Sequence, residues 1–80
     1  MEVEFVMPQL GSEMTKGTIV EWLKKEGDRV NEGESMCLVD TEKAVLEVES
    51  EVTGVLKKIL VSEKQEVDVG VTIAMLEREG

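Results

Sequence analysis

The side chains best placed to take part in chemistry form one polar stretch near the middle of the chain, Val39-Asp40-Thr41-Glu42-Lys43-Ala44-Val45. Four polar residues interrupt two apolar runs there, which is typical of a β-hairpin tip and predicts Lys43 at the apex of an exposed turn. Acidic residues precede the lysine and the small Ala44 follows it, so its ammonium group is sterically accessible. The chemistry available is that of a primary amine on a long flexible stem. A lysine in a turn is usually only a solubilising charge, so its role depends on the elements that present it.

The remaining composition excludes most other kinds of site. The 80 residues include no histidine and one cysteine, Cys37, which removes a Cys/His zinc site, a histidine-based catalytic dyad and an intrachain disulfide. No nucleophile–base pair, metal cluster or phosphate-binding loop is visible, so we expect no catalytic residues and no metal. Cys37 lies in an apolar run, which predicts a small buried hydrophobic residue and not a second redox thiol.

Charge and length restrict the class of protein. Nine basic and eighteen acidic residues give a net charge of −9, which disfavours binding to nucleic acid or to an anionic membrane surface. No apolar run is long enough to span a membrane, and the acidic N-terminus does not resemble a signal peptide. We expect one domain, residues 1–80, in a reducing compartment.

The apolar residues predict β-strands. They come in short bursts rich in Val, Ile and Thr, separated by glycine and charge: residues 3–7, 18–23, 35–39, 44–48, 55–61 and 71–76. Such spacing favours a small sandwich or barrel. The alternative is a helix at 19–26, which is disfavoured because glycines at both ends leave it short. Trp22, within one burst, is expected in the core and not as a partner anchor.

An internal repeat organises these strands. A shift of 37 residues places 17–40 over 54–77 and pairs Gly17 with Gly54, Leu23 with Leu60, Glu26 with Glu63, Val30 with Val67 and Gly33 with Gly70. Two copies of one strand–turn–strand unit predict a pseudo-twofold domain in which neither half buries its apolar face alone. Gly27 corresponds to Lys64, so a positive φ at that turn would cost the second copy about 0.5–1 kcal/mol.

Several motifs, in order, resemble the lipoyl domains of the acyltransferase subunits of 2-oxo acid dehydrogenase complexes. The resemblance covers essentially the whole chain and rests on residues 6–11, 14–28, 33–34, 40–44 and 54–61. It implies an all-β fold, a flattened pseudo-twofold barrel or sandwich of two four-stranded antiparallel sheets. It also implies lipoic acid in amide linkage to Lys43, with Asp40, Thr41, Glu42 and Ala44 as the modification motif. Two departures are Glu42, where aspartate is common, and Lys64-Gln65, where glycine and a small polar residue are usual.

The resemblance further implies a carrier without its own active site. Its lipoyl-lysine arm would move acyl groups and reducing equivalents among a thiamine-diphosphate-dependent 2-oxo acid decarboxylase, an acyltransferase catalytic domain and dihydrolipoamide dehydrogenase, after modification by a lipoylating enzyme. The loop Gly11, Ser12, Glu13, Met14 and Thr15 would contribute to recognition by the decarboxylase. We expect the isolated domain to be a monomer in the cytoplasm, or in the mitochondrial matrix of a eukaryote.

Two alternatives keep the fold and change the function. A biotinyl carrier domain resembles a different tip, with methionine on both sides of the lysine, whereas Glu42 and Ala44 flank Lys43. An unmodified lipoyl-like interaction domain would leave Lys43 without a role. The sequence does not indicate which 2-oxo acid the complex would use.

Overall fold

The computed structural model describes residues 1–79, in which eight β-strands and no helix occur. The strands are β1 (Glu2–Val6), β2 (Lys16–Trp22), β3 (Arg29–Val30), β4 (Ser35–Asp40), β5 (Val45–Glu49), β6 (Gly54–Ile59), β7 (Glu66–Asp68) and β8 (Thr72–Arg78). Each of the six predicted bursts forms a strand, and the alternative helix at 19–26 is absent because its first residues belong to β2. The pattern of apolar bursts did not predict β3 and β7, because strands of two or three residues are too short to show a recognisable apolar pattern.

The strands form two four-stranded antiparallel sheets, in the orders β1-β8-β6-β3 and β5-β4-β2-β7. The repeat maps β2 onto β6, β4 onto β8 and β3 onto β7, which converts one strand order into the other. The prediction of a pseudo-twofold all-β fold is therefore confirmed, as a flattened sandwich without barrel closure, 35 × 22 × 18 Å in extent. The first and last strands, β1 and β8, lie side by side in the first sheet, where Glu2 pairs with Glu77, whereas Lys43 follows β4 of the second sheet.

The core lies between the sheets, where alternate residues of a strand face inward except at irregularities, so that Met36 and Cys37 are both buried beside the register shift in β4. It consists of Phe5, Met7, Ile19, Val30, Met36, Cys37, Val39, Val48, Leu56, Ile73, Ala74 and Leu76. Trp22 was expected inside, but it packs half-buried at the margin, because its indole N–H reaches out to the Val61 carbonyl oxygen at 2.9 Å. No helix among residues 1–79 has the length and apolar character that crossing a membrane requires.

The two repeats are joined by a reciprocal pair of hydrogen bonds at matching irregularities of β2 and β6. The pairing register shifts between Ile19 and Glu21 in β2, and between Leu56 and Lys58 in β6. Just beyond each shift, a backbone N–H donates to a glutamate of the other repeat, Trp22 to Glu63 and Ile59 to Glu26, both at 2.8 Å. Each repeat thus completes the backbone hydrogen bonding of the other.

The turn at Lys64 carries the strain that the repeat predicted. Lys64 has φ 71° and its counterpart Gly27 has φ 95°, a region that side chains with a Cβ rarely adopt. Their N–H groups donate to equivalent carbonyls, Lys64 to Ile19 at 2.6 Å and Gly27 to Leu56 at 2.7 Å. The hydrogen bond therefore fixes the same backbone conformation in both copies.

We expect Lys64→Gly to stabilise the domain. Glycine removes the cost of about 0.5–1 kcal/mol that the second copy bears relative to the first, net of the added freedom of the unfolded chain. The melting temperature should then rise by about 2–8 °C. The matched control is Gly27→Ala, which should lower it by a similar amount. An unchanged melting temperature in both variants would contradict this account of the turn.

Candidate functional site

The predicted hairpin tip is present, and a threonine holds its shape. The last strand pair is Asp40 with Val45, which leaves residues 41–44 as the loop between β4 and β5. The Thr41 N–H donates to the Ala44 carbonyl at 2.8 Å. The Thr41 hydroxyl donates to the same carbonyl at 2.9 Å and accepts the N–H groups of Lys43 and Ala44 at 3.3 and 3.2 Å. One side chain thereby satisfies several backbone groups of the turn, so the position of the Lys43 Cα is well defined.

Lys43 projects from this turn into solvent. Its ammonium group makes none of the ion pairs within residues 1–79, although Lys16, Lys24 and Lys57 are each paired with a glutamate at 2.7–3.5 Å. The neighbouring carboxylates of Asp40 and Glu42 are not ion-paired with it either. Loss of the positive charge at Lys43 would therefore break no ion pair.

The loop between β1 and β2 is held by the sulfur of Met14. The Leu10 N–H donates to Met14 Sδ at 3.2 Å, and the Met14 N–H donates to the Gly11 carbonyl at 3.1 Å. The Gln9 side-chain amide donates to the Met14 carbonyl at 3.2 Å. Met14 is half-buried and packs against the core. The loop is therefore built around one anchored side chain.

This loop and the hairpin tip line one groove of about 460 Å³. The predicted residues around it are Gly11, Ser12, Glu13, Met14 and Thr15 from the loop and Asp40, Thr41, Glu42, Lys43 and Ala44 from the tip. The sequence reasoning missed the other lining residues, Leu10, Lys16, Gly17, Thr18, Leu46 and Glu66. Most of these belong to β2 and its neighbours, and only the register of β2 against both β4 and β7 would have revealed them.

Cys37 contributes no chemistry to the groove. Its side chain is fully buried in the core, and this burial raises the pKa of the thiol to about 12. The reactive thiolate is therefore scarce at any ordinary pH, which confirms the interpretation of Cys37 as a core residue. No group of three metal-binding side chains is found in residues 1–79.

We expect Cys37 to resist alkylation in the folded domain. At pH 8, the change in pKa from 9.0 to about 12 lowers the thiolate fraction about a thousandfold, before steric protection is counted. Mass spectrometry with iodoacetamide should show an unlabelled native chain and a single label after denaturation. Because the neutral thiol is favoured by folding, this contribution to stability is complete below pH 9 and falls as the pH rises towards 12. Equal labelling rates in the native and denatured chain would contradict the buried placement.

The sequence of the whole chain can be compared with those of known proteins. The model of the biotin/lipoyl family, described as "Biotin-requiring enzyme", matches residues 3–76. The chain belongs to the biotin/lipoyl family.

Of its curated relatives, the dihydrolipoyllysine-residue acetyltransferase component of the pyruvate dehydrogenase complex from Rickettsia conorii is 44% identical over 81 residues, covering 100% of this chain and 20% of that protein. The pyruvate dehydrogenase protein X component of Mus musculus is 39% identical over 79 residues, covering 98% of this chain and 16% of that protein. The chain thus spans about a fifth of the length of the curated relatives it matches.

Two solved structures share this fold. The lipoyl domain of the 2-oxoglutarate dehydrogenase complex of Azotobacter vinelandii has a TM-score of 0.78 at 29% identity, covering 98% of this chain and 99% of that one. A multi-domain long-chain acyl-CoA carboxylase has a TM-score of 0.81 at 19% identity over 98% of this chain and 7% of that one, which shows the fold alone. The sequence similarity above 25% is to a dihydrolipoyllysine-residue acetyltransferase component and to a lipoyl domain. The prediction of a lipoyl carrier domain is confirmed over the biotinyl alternative.

Proposed function

We propose that Lys43 is the residue that carries lipoic acid, in amide linkage, and that the domain moves acyl groups and reducing equivalents between the active sites of a 2-oxo acid dehydrogenase complex. The observation that carries this proposal is the position of Lys43, whose amine makes no ion pair with residues 1–79 and stands at the tip of a hairpin held by Thr41. The similarity to acetyltransferase components of pyruvate dehydrogenase complexes supports a complex that uses pyruvate.

The residues around Lys43 fit this cofactor. Forming the amide removes the lysine charge, and no ion pair of the described residues depends on that charge. Ala44 is small, so the β5 side of the tip leaves room for a ligase to reach the amine. When bound, the dithiolane supplies a disulfide–dithiol couple that accepts an acyl group reductively and is later reoxidised.

The chain itself positions the lipoyl arm and presents it to partner enzymes. The bonds of Thr41 fix the root of the arm while its far end reaches several active sites. The loop residues Gly11, Ser12, Glu13, Met14 and Thr15 share the groove with the tip, which supports their proposed role in recognition by the thiamine-diphosphate-dependent decarboxylase. The proposed partners further include the acyltransferase catalytic domain, dihydrolipoamide dehydrogenase and a lipoylating enzyme, in the cytoplasm or mitochondrial matrix. Residues 1–80 would act as one unit and remain monomeric when isolated.

Intact mass and reductive acylation together test the proposal. Expression in cells supplied with lipoate or biotin should add one lipoyl group and no biotin, and peptide mapping should place it on Lys43. The modified domain is then offered to decarboxylases specific for pyruvate, 2-oxoglutarate and branched-chain 2-oxo acids, each with its substrate. We expect efficient acylation with the pyruvate enzyme. Biotinylation, or an unmodified Lys43 in the presence of an active lipoylating enzyme, would overturn the proposed function.

A further inference from the structure

The groove beside Lys43 has the size and the lining of a small-molecule site. Its volume of about 460 Å³ lies within the range of about 300–1,000 Å³ that such sites occupy. Leu10 and Met14 contribute half-buried side chains on one side, and Leu46 of β5 contributes a side chain that is 36% exposed on the other. Lys43 itself lines the same groove. A chain attached to its amine would therefore start at the edge of an apolar depression.

We propose that this groove is a docking site for the lipoyl chain of the same domain, with Leu10, Met14 and Leu46 as its apolar contacts. The inference rests on the proposed attachment at Lys43. The docked arm exchanges with a free arm, so the domain alternates between a state in which the arm is held and one in which it is available to partners.

The charges around the groove select this occupant over a free ligand. Glu13, Asp40 and Glu42 line the groove, and Glu66, which also lines it, is paired with Lys16 of the neighbouring strand at 3.5 Å. An anion such as free lipoate or a fatty acid would be repelled by these carboxylates. The amide-linked chain has lost both the carboxylate of the acid and the ammonium of the lysine, so it enters as a neutral apolar group.

Tethering makes weak contacts sufficient. A group on a short flexible linker experiences an effective concentration of the order of millimolar at a site within its reach. A groove with only millimolar intrinsic affinity would therefore be occupied about half of the time. Such an affinity corresponds to the burial of about five methylene groups.

The apolar side of the groove is prepared before the arm arrives. The Leu10 N–H is bonded to Met14 Sδ at 3.2 Å, so the backbone position of one contact residue is fixed by the side chain of the other. The Met14 methyl group also lies towards Gly17, where a Cβ would come within 2.9 Å of it. The unbranched thioether can adjust its surface to an apolar chain without a change in the backbone.

Nuclear magnetic resonance of the modified domain without any partner tests the inference. Mass spectrometry and peptide mapping first establish that Lys43 is fully lipoylated. The expected result is a set of nuclear Overhauser effects between the arm and the methyl groups of Met14 and Leu46. Leu46→Ser should lower the ratio of docked to free arm about threefold to tenfold. The matched control is Leu60→Ser, at a leucine that is 47% exposed and does not line the groove, and it should leave the ratio unchanged.

The possible outcomes distinguish a failure of the docking site from a failure of the proposed carrier function. A fully lipoylated Lys43 whose arm shows no contact with Met14 or Leu46 overturns the docking site and leaves the carrier function standing. Equal losses in the Leu46→Ser and Leu60→Ser variants also overturn it, because the effect would then not be local. A domain that is not modified at Lys43 overturns both.

Discussion

Replacing Lys43 with arginine is expected to abolish lipoylation completely while leaving the fold unchanged. Arginine keeps the positive charge and the flexible stem, but its guanidinium group does not deprotonate to a nucleophilic amine in proteins. Lys43 makes no ion pair among the described residues, so the free energy of unfolding should change by no more than about 0.5 kcal/mol, as is usual for a surface substitution. Intact mass measures the modification and a thermal melt measures the fold. A variant that still gains the mass of a lipoyl group would show that another lysine is the site.

A position exchange is the matched control for this result. The double variant Glu42→Lys with Lys43→Glu keeps composition and net charge, so altered electrostatics of the whole domain cannot explain a loss. The amine must approach the activated lipoyl group to roughly 3–3.5 Å in the ligase, and moving it by one residue redirects the side chain. We expect normal folding and poor lipoylation. Efficient modification of the exchanged variant would show that the ligase reads exposure and not the place of the lysine in the turn.

Gly54→Ala is expected to have the largest effect on stability in the chain. Gly54 begins β6 and pairs with Arg78 of β8 on one side and Val30 of β3 on the other. A Cβ at this position would overlap the carbonyl oxygen of Glu77 and come within 2.9 Å of the Arg78 Cα. Because these are backbone atoms of a paired strand, relief requires the strands to separate. We expect a loss of about 3 kcal/mol or more, which lowers the melting temperature by at least about 12 °C.

Two other glycines calibrate this prediction. At Gly17, the counterpart of Gly54 in the repeat, a Cβ would lie 2.7 Å from a Val39 methyl group and 2.9 Å from the Met14 methyl group. Side-chain ends can move, so Gly17→Ala should cost about 1–3 kcal/mol. A Cβ at Gly11 would meet no atom within 4 Å, so Gly11→Ala should be nearly neutral. Chemical denaturation of the three variants measures the order, and a Gly54→Ala variant as stable as Gly11→Ala would contradict the packing of β6 on β8.

The strands that have a local apolar pattern could be predicted from the sequence. The hydrogen bonds that join the two repeats could not. The six longer strands carry their own apolar pattern, and the correspondence of Gly17 with Gly54 revealed the pseudo-twofold. The same alignment matched Glu26 with Glu63, yet their function was invisible. Each glutamate accepts a hydrogen bond from a residue 33 or 41 positions away, and such a separation leaves no local signal.

The candidate site was also predictable only in part: the hairpin tip could be predicted from the sequence, and the groove could not. The tip could be predicted because a short polar interval between two apolar runs is sufficient to specify a hairpin. The groove depends on the place of Thr18, which pairs with Asp40 on one side and with Glu66 on the other. Those pairings bring three distant segments together, so Leu46 and Glu66 became visible only in the folded chain.

The reciprocal bonds of Glu26 and Glu63 also bear on how the chain folds. Each repeat has one backbone N–H whose acceptor is supplied by the other repeat, so that part of the hydrogen-bond enthalpy is gained only when both are present. The entropy of bringing distant segments together must therefore be spent first, and a β domain of this kind folds in milliseconds to seconds instead of microseconds. Each of the two carboxylates can make its bond only when the other repeat is in place. They make a half-formed domain a poorly populated species on the way to the native state.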